Sequence, residues 1–323
     1  MDENLTPDEP AAVGMTGTSS WLGINWRYAT PILLVHFAAL LALLPSMFSW
    51  TGVVLAVLGC YVFGGIGMNV GYHRLITHRG FTCPRWLECT LALLGACCLE
   101  ESPIVWTAWH RLHHHASDKA RDPHSPLKSF LWGHIGWLFI ESENAVAGPL
   151  KSRYAPDLQR DPFMAWLERR DNWIKVALAS WLLFFAAGYG VGILRGASQA
   201  EAARFGASLV VWGCLVRTVL VWHVTWSVNS VAHRWGYRNY ETPDNSRNNI
   251  LIGFLAGGEG WHNNHHAMPS SARHGHKWWE FDLAWATIRT FERLGWAKDV
   301  KLPSQAVIAH QDAGSRANGK ELL

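Results

Sequence analysis

Four long apolar stretches constrain the fold of this chain more than any other feature of its sequence. They run over Pro31–Trp50, Gly52–Val70, Trp173–Leu194 and Ala207–Trp226. Each is close to the roughly 20 residues that an α-helix needs to cross the hydrocarbon core of a bilayer. Ser49–Thr51 joins the first two stretches, and a long polar region precedes the second pair. The sequence therefore predicts an all-α membrane protein with four transmembrane helices in two hairpins.

The composition agrees with this prediction. Only 16% of the 323 residues are charged, compared with about 25% in an average protein, which is too few to cover a soluble globule of this size. The 20 tryptophans fit a chain that meets a bilayer–water interface. A formal net charge of +3 without a dense basic run indicates no nucleic-acid partner. The six cysteines show no C-x-x-C pairing, so we expect buried apolar thiols rather than disulfides.

The even number of crossings determines which segments share a side of the membrane. Both termini and the segment 71–172 lie on one face, and this segment holds most of the lysines and arginines of the first half. By the positive-inside rule this face is cytoplasmic. We therefore expect a polar tail over 1–28 without a signal peptide, one domain over 29–303 with a cap formed by 71–172 and 227–303, and a polar tail over 304–323.

Some residues interrupt the apolar pattern. Leu87–Leu99 is apolar but short, which favours a buried or re-entrant helix over a crossing. Arg217 lies inside the fourth stretch and needs a partner or a wet face, because an unpaired charge in a bilayer is unfavourable. His36 and His223 also lie inside crossings, and we interpret them as hydrogen-bonded core residues.

Histidines cluster where the predicted crossings end. The chain contains 17 histidines, and Tyr72–His78 begins where the second crossing leaves the apolar core. Asn229–His233 begins where the fourth crossing leaves the apolar core. His110–His115 and His262–His266 lie in the cap. The topology puts all four clusters on one side of the membrane, and nine of these imidazoles predict a metal centre.

The spacing supports metal binding. H-x-x-H-H occurs twice, and in a helix residues i, i+3 and i+4 share a face, so the three histidines of each motif can converge on a common point. His73 and His78 are about 140° apart around an α-helix, so they can share a metal only if the helix ends or unwinds between them. The candidate ligands, enough for two metals with four or five nitrogens each, are His73, His78, His110, His113, His114, His233, His262, His265 and His266.

The number of imidazoles and their position favour iron. Nine imidazoles exceed the three or four protein ligands of a zinc site, and imidazole suits iron, copper, nickel and zinc alike. A site at the mouth of an apolar bundle can meet a hydrocarbon chain, whose unactivated methylenes only a redox-active metal can oxidise. Iron with O2 is the simplest choice, and copper remains an alternative. His115 is expected to point away from the helix face that carries the ligands. The remaining histidines are expected beside ligands or in solvent, and they are His124, His134, His274, His276 and His310.

The motifs resemble those of the membrane-bound fatty acid desaturases, in the Δ9-type acyl-CoA and acyl-lipid branch. The resemblance runs from about Pro31 to Pro303. It is carried by H-R-L-I-T-H at 73–78, H-R-L-H-H at 110–114, N-S-V-A-H at 229–233 and G-E-G-W-H-N-N-H-H at 258–266.

This resemblance implies four crossings below a helical cytoplasmic cap that holds a histidine-ligated di-iron site. The nine histidines correspond to the family's ligands, and Asn229 corresponds to a residue that reaches one iron through a water. Trp106 and Thr225 match the residues that hold the bend of the family's acyl tunnel. The implied reaction is the O2-dependent introduction of a cis double bond into a saturated acyl chain.

The resemblance also implies partners. No fused cytochrome b5 module is recognised, so electrons are expected from a separate ferredoxin-, rubredoxin- or cytochrome b5-like donor. Since no retrieval signal is recognised either, we expect a bacterial inner membrane, and the charge distribution predicts that the metal site is on the cytoplasmic side. The other partners are a fatty acyl substrate and membrane lipid. Carboxylates of Glu259, Asp118 and Asp122 are candidates for orienting the ligand imidazoles.

The chain departs from the family before the second histidine cluster. Glu100 and Glu101 stand where amide or glycine residues are usual, and Ala108 and Trp109 replace charged side chains of some acyl-CoA enzymes. These departures leave the acyl carrier and the bond position open. A related lipid hydroxylase or acetylenase is the alternative enzyme, and a membrane metal transporter or sensor is a distant non-enzymatic alternative.

Overall fold

The computed structural model of the chain describes residues 23–142 and 147–308. Residues 1–22 of the predicted N-terminal tail, residues 309–323 of the predicted C-terminal tail and His310 lie outside the described residues.

The described residues are mostly helical, and they contain isolated β-bridges but no β-sheet. A π-helical segment, Trp132–Gly136, and a three-residue α-helical segment, Trp137–Phe139, follow each other in the cap. In chain order the helices are α1 (Trp26–Ala39), α2 (Trp50–Thr77), α3 (Arg85–Ala96), α4 (Pro103–Ala116), α5 (Ala147–Tyr154), α6 (Pro156–Gln159), α7 (Pro162–Glu168), α8 (Asn172–Leu194), α9 (Gln199–Ser230), α10 (Ile250–Leu255), α11 (His262–Ala267) and α12 (Leu283–Arg293).

Four helices are long and apolar enough to cross a membrane: α1 with its 3₁₀ extension through Leu43, α2, α8 together with α7, and α9. Large apolar side chains on these helices are exposed, among them Phe37, Val57 and Leu182, as expected of side chains that face lipid. The prediction of an all-α membrane protein with four crossing helices is confirmed.

The helix ends differ from the apolar runs of the sequence. The first run was expected to reach Trp50, but the helical segment ends at Leu43, because Leu44 is extended before Pro45 and a residue preceding proline is disfavoured in the helical region. At the other ends, helical hydrogen bonding continues into polar sequence. For this reason α2 extends beyond residue 70 to Thr77, and α9 begins at Gln199 rather than at 207.

Small residues and one buried cation fix the packing of the crossings. At the α8–α9 contact a Cβ on Gly188 would lie 2.8 Å from the Cα of Gly206, so these helices pack closely in the manner of small-residue membrane interfaces. Arg217 has no exposed surface. Its guanidinium donates to the carbonyl oxygen of Cys97 at 3.1 Å and lies 4.2 Å from the centre of the Phe63 ring. Nε donates to the carbonyl oxygen of Gly213 at 3.0 Å, while Nη2 has no hydrogen-bond partner among the described residues, so the cation is partnered on two of its three nitrogens.

The ends of α2 and α9 meet α4 and α11 on one side of the crossing helices. We call this region the histidine end, because α4 and α11 carry the two H-x-x-H-H motifs. α3 packs along α2 and presents Leu91 and Ala92 to the core, with at most 1% of their surface exposed. The buried core is continuous from the crossings to the histidine end.

Candidate metal centre

The nine predicted ligands form two groups at the histidine end. Within each group, one nitrogen from every imidazole lies within 4.8 Å of those from all the others. The five-histidine group consists of His73, His78, His110, His114 and His265. The four-histidine group consists of His113, His233, His262 and His266.

The nitrogen separations fit a metal ion in each group. Close Nε2–Nε2 distances are 2.9–3.1 Å in the five-histidine group and 3.0–3.3 Å in the four-histidine group. Imidazole nitrogens bound at about 2.1 Å and at right angles to each other would lie about 3.0 Å apart. Several Nε2 atoms that face one point cannot all be satisfied by hydrogen bonds to one another, since a neutral imidazole has one donor and one acceptor. The arrangement therefore fits metal ligation.

The H-x-x-H-H motifs divide between the two groups. On α4, His110 and His114 belong to the five-histidine group, whereas His113 belongs to the other. On α11, His262 and His266 belong to the four-histidine group, whereas His265 crosses to the first. The expectation that the three histidines of one motif share a common point is wrong. Residues i and i+4 remain together because they are one turn apart, and residue i+3 is rotated far enough to reach the neighbouring group.

A π-helix joins His73 and His78. The second half of α2, Cys60–Thr77, is π-helical, and a π-helix bonds each residue to the one five positions away. The amide of His78 donates to the carbonyl oxygen of His73 at 3.1 Å, and their ring centres are 4.8 Å apart. The helix thus changes its winding instead of ending between them, which removes the 140° separation expected for an α-helix.

Burial keeps most of these imidazoles neutral. In the five-histidine group, burial and then the neighbouring imidazoles hold the pKa values of His78, His110, His114 and His265 well below the usual range. The same causes lower the pKa values of His262 and His266. Around His113, burial opposes the charged form, but the carboxylate of Asp122 outweighs it and raises the pKa of that imidazole. A neutral imidazole with a proton on Nδ1 has a lone pair on Nε2 to offer a metal.

Carboxylates hold the Nδ1 side of four of the imidazoles. Such partners fix the tautomer and orientation of a metal-binding histidine and raise its basicity. The Nδ1–oxygen distances are 2.7 Å for His73 and Glu259, 3.0 Å for His113 and Asp122, 3.1 Å for His233 and Asp118, and 2.8 Å for His266 and Asp244.

Three of these carboxylates, Glu259, Asp118 and Asp122, are the candidates named from the sequence, and their role in orienting the imidazoles stays a prediction. Backbone amides hold the two aspartates: Asp118 donates to Asp122 at 2.9 Å, and Asn245 donates to Asp118 at 2.6 Å. Burial alone would raise the pKa of the Asp118 and Asp122 carboxyls. Hydrogen bonds and neighbouring imidazoles outweigh it and lower the pKa of both. Asp244 was not predicted, because it lies in a polar loop without a recognisable spacing to any histidine.

Sequence reasoning also missed Arg74. This arginine follows His73 and has no exposed surface. It donates to Glu259 at 2.9 and 3.0 Å and to Asp282 at 3.0 Å. Burial opposes the charged form of the Glu259 carboxyl, but the Arg74 cation outweighs burial. The pKa of this carboxyl therefore lies well below its usual range. Arg74 thus keeps Glu259 ionised beside His73.

The remaining histidines lie around or away from the two groups. His274 is buried beside Glu259, with 3.1 Å between Nδ1 and Oε2, and His124 has its ring centre 4.4 Å from that of His113. His36 and His223 contact each other at 3.1 Å between their Nε2 atoms. His134 contacts His223, His276 contacts Tyr240, and His115 is exposed.

An apolar cavity of about 520 Å³ begins at the histidines. Its wall includes His73 and His110 of the five-histidine group, His262 of the four-histidine group, and Asn229. Most of the rest is aliphatic or aromatic, which suits an apolar ligand. The lining includes Trp106 and Thr225, the two residues expected at a tunnel bend.

Glu100 joins these two residues and was singled out only as a departure from the family. It lines the cavity and accepts hydrogen bonds from Thr225 and Trp106. Burial nevertheless raises the pKa of its carboxyl to about 8. The Trp106 ring also stacks on His110, with centres 4.9 Å apart. Glu100 is thus connected to the candidate ligand His110 through the Trp106 ring.

Comparisons with known proteins agree with the site. The fatty acid desaturase family model matches residues 48–298. The chain is 42% identical over 285 residues to an sn-1 stearoyl-lipid 9-desaturase of Anabaena variabilis, with 88% of this chain and 97% of the relative covered. It is 40% identical over 275 residues to an sn-2 palmitoyl-lipid 9-desaturase of Nostoc sp., covering 85% and 90%. It is 39% identical over 271 residues to an acyl-CoA C20 Delta5-desaturase of Anemone leveillei, covering 84% and 80%.

The family match spans most of the chain, the aligned relatives are desaturases, and the structure supplies membrane-crossing helices with histidine clusters able to hold metal. The chain therefore belongs to the fatty acid desaturase family and is a membrane-embedded fatty acyl desaturase, an oxidoreductase of lipid metabolism.

Proposed function

We propose that this chain introduces a cis double bond, of the Δ9 type, into a saturated acyl chain, using O2 and two iron ions held by the two histidine groups. The observation that carries this proposal is the division of nine imidazoles into groups of five and four at the wall of an apolar cavity. Asn229, which lines the same cavity, would add a donor through water to one of the two ions.

Iron suits both the donors and the substrate. Neutral imidazoles bind several first-row metals, but a saturated chain can be oxidised only by a redox-active one. Two bound iron ions would supply, with O2, the oxidising power to remove one hydrogen from each of two adjacent methylenes. The reaction balances when O2 receives two hydrogen atoms from the chain, two electrons from a donor and two protons, and becomes two waters.

The protein's own residues would position the reactants. Carboxylates orient the imidazoles, and the apolar wall excludes bulk water from the chain. Trp106, Thr225 and Glu100 form one hydrogen-bonded corner beside His110, where a bent chain would present adjacent C–H bonds to the centre. Fixing those bonds close to the reacting groups is a contribution of positioning.

The partners and the orientation follow from the same proposal. Electrons would come from a separate ferredoxin-, rubredoxin- or cytochrome b5-like protein that reaches the histidine end. We also propose a bacterial inner membrane. The histidine end would lie on the cytoplasmic side, because the segment 71–172 on that side of the crossings holds most of the lysines and arginines of the first half of the chain. The Δ9 assignment rests on the relatives from Anabaena and Nostoc, which are 9-desaturases.

The test combines metal analysis with lipid profiling. Purified protein should contain two iron ions per chain, and cells that express it should gain a cis alkene at the ninth carbon, detected by mass spectrometry after derivatisation. The His113→Ala variant should show no new alkene. A new alcohol without an alkene would replace the desaturase by a hydroxylase, and metal uptake without lipid oxidation would support a transporter.

A further inference from the structure

Two surface segments lie over the four-histidine group. The first is 117–128, directly after α4, and the second is 234–247, after the end of α9. They are joined at two points. The amide of Asn245 donates to Asp118 at 2.6 Å, and the guanidinium of Arg234 donates to the carbonyl oxygen of Pro126 at 3.3 Å. The two segments therefore form one continuous surface.

Cations predominate on the exposed side of these segments. Three of their four carboxylates, on Asp118, Asp122 and Asp244, contact imidazoles of the four-histidine group. The fourth carboxylate, on Glu241, is exposed. The exposed cations form what we call the basic patch, which consists of Lys119, Arg121, Lys128, Arg234 and Arg238. None of these five belongs to an ion pair of the described residues.

The cations beside the five-histidine group are arranged differently. Arg79 follows His78 and pairs with Asp157 at 3.1 Å. Arg111 follows His110 and pairs with the same carboxylate at 2.8 Å. Their charge is compensated within the protein, whereas the charge of the basic patch is directed to the surroundings. A surface of one sign attracts partners of the opposite sign and accelerates their association by about 10- to 1,000-fold.

A surface pocket connects the basic patch with the candidate ligands. Its volume is about 330 Å³, and its lining includes Lys119, Lys128 and Asp118. The carboxylate of Asp118 lies 3.1 Å from Nδ1 of His233. A single residue thus spans the distance from this pocket to a member of the four-histidine group.

The carboxylate behind the five-histidine group lies in different surroundings. Glu259 contacts His73 and lines the internal apolar cavity. Its further partners, Arg74 and His274, have at most 1% of their surface exposed. Because electron transfer weakens steeply with distance, a protein bound at the basic patch is better placed to pass electrons to the four-histidine group.

The course of the first segment favours a soluble partner over lipid head groups. After residue 128 the chain returns to the crossings. Phe130 packs against Trp235 with ring centres 5.6 Å apart, and His134 contacts His223 of α9 at 3.0 Å. Lys119 and Arg121 precede this return. They therefore lie outside the part of the segment that meets the crossing helices.

We propose that the basic patch is the docking surface of a small acidic protein that carries one electron at a time, and that electrons enter the chain through the four-histidine group. The donor is oxidised by one electron at each encounter, and two encounters supply the two electrons that the proposed reaction takes from its donor. Transient electron-transfer complexes of this kind bury less than about 1,200 Å². This inference rests on the proposed function, because it names the surface and the charge of the donor that the reaction requires.

The first test measures docking and needs no metal in this chain. The full chain in phosphatidylcholine nanodiscs is mixed with an acidic two-iron ferredoxin and a carbodiimide, which joins lysines to carboxylates, and the cross-links are mapped by peptide mass spectrometry. We expect cross-links at Lys119 and Lys128 that disappear at high salt, because salt screens the charges. The absence of cross-links, or cross-links confined to lysines elsewhere, such as Lys277 and Lys301, would overturn the proposal.

Charge reversal tests the patch against a matched control. Lys119→Glu/Arg121→Glu should weaken ferredoxin binding at low salt by at least about tenfold. Arg195→Glu/Arg204→Glu makes the same change in net charge at the opposite end of the crossings, where α8 ends and α9 begins, and should bind as the wild type does. Lys128→Glu is a second patch variant, and all variants should elute as the wild type in size-exclusion chromatography.

Two outcomes of this comparison would refute docking at the patch. One is equal ferredoxin binding by the wild type and both folded patch variants. The other is a loss of bound phosphatidylglycerol from the patch variants in native mass spectrometry while ferredoxin binding is unchanged, which would assign the patch to lipid head groups.

The second test follows electrons into the iron-loaded protein. At low salt, Lys119→Glu/Arg121→Glu should oxidise reduced ferredoxin at least about tenfold more slowly than the wild type. At high salt, where charges are screened, the two rates should converge. A difference that persists at high salt would show damage to the site instead of lost attraction, and the proposal would fail.

The choice of reductant separates this inference from the proposed function. Desaturation driven by dithionite but not by reduced ferredoxin would refute docking of an acidic donor while the proposed function stood. No desaturation with either reductant would contradict the proposed function, and the cross-links would still decide where an acidic protein binds.

Discussion

The amide of His78 donates to the carbonyl oxygen of His73, five residues earlier, at 3.1 Å. This bond belongs to a π-helical segment that runs over Cys60–Thr77. Extended π-helices are rare and frequently mark functional sites. Here the wider winding brings two imidazoles of one helix to the same group, which an α-helix would have separated.

Removal of one imidazole from either group should abolish the product. His113→Ala takes a nitrogen from the four-histidine group, and His265→Ala takes one from the five-histidine group. The variants should still insert, because burial in the bilayer and not metal holds the crossing helices together. Product is measured by lipid mass spectrometry, metal content by elemental analysis and insertion by membrane fractionation.

His115→Ala is the matched control for this experiment. His115 lies next to His114 on α4, but it is exposed and belongs to neither group. We expect it to retain product and metal. Full activity in His113→Ala or His265→Ala would show that the ligand assignment is incorrect.

Removal of the carboxylate behind a ligand should weaken metal binding without emptying the site. Asp122→Asn and Asp244→Asn keep the shape of the side chains that contact His113 and His266 but lose their charge. Outer partners of this kind typically contribute 10- to 100-fold to metal affinity or activity. Competition with a chelator should reveal a loss of that order.

Glu141→Gln is the control for the two aspartate variants. Glu141 is exposed and is not part of the histidine groups or their carboxylate partners. It should bind iron as tightly as the wild type. An unchanged chelator titration for both aspartate variants would contradict a role for these carboxylates in holding the imidazoles.

The buried carboxyl of Glu100 should make stability fall as the pH rises. Its pKa is raised from 4.5 to about 8, so between these values the unfolded chain has released a proton that the folded protein keeps. Stability therefore decreases with pH in this window, by at most about 1.4 kcal/mol per pH unit, and levels off above pH 8. Glu100→Gln keeps a neutral side chain and should remove this contribution. Thermal melting in detergent between pH 5.5 and 8.5 measures both slopes, and equal slopes would refute the assignment.

Bulk added at the α2 side of the cavity should shorten the acyl chains that the enzyme accepts. Met68 is buried and lines the cavity near Asn69 and Ala256, so Met68→Trp should shift the products toward shorter chains. Val54→Trp changes the lipid-facing side of the same helix, where Val54 is 53% exposed, and should leave the chain-length profile unchanged. The chain-length profile is measured by gas chromatography of total acyl chains. An unaltered profile in Met68→Trp would show that this wall does not limit the length of the acyl chain.

The local features of the sequence were sufficient for the fold class and for the candidate ligands. Apolar runs of membrane-spanning length predict helices because the bilayer forces every backbone polar group to be satisfied within its own segment. The end of α1 shows where such reasoning is inexact: an apolar run continues to Trp50, but Pro45 ends the helix by acting on Leu44.

The sequence by itself determined which side chains could bind metal, because the packing of apolar helices does not require imidazoles at helical spacing beside the crossings. The sequence did not determine how these imidazoles divide between the two histidine groups. The division of each H-x-x-H-H motif, the pairing of Asp244 with His266, and the burial of Arg74 against Glu259 depend on segments far apart in the chain. Distances between such segments are set by how the helices pack, and no local pattern encodes them.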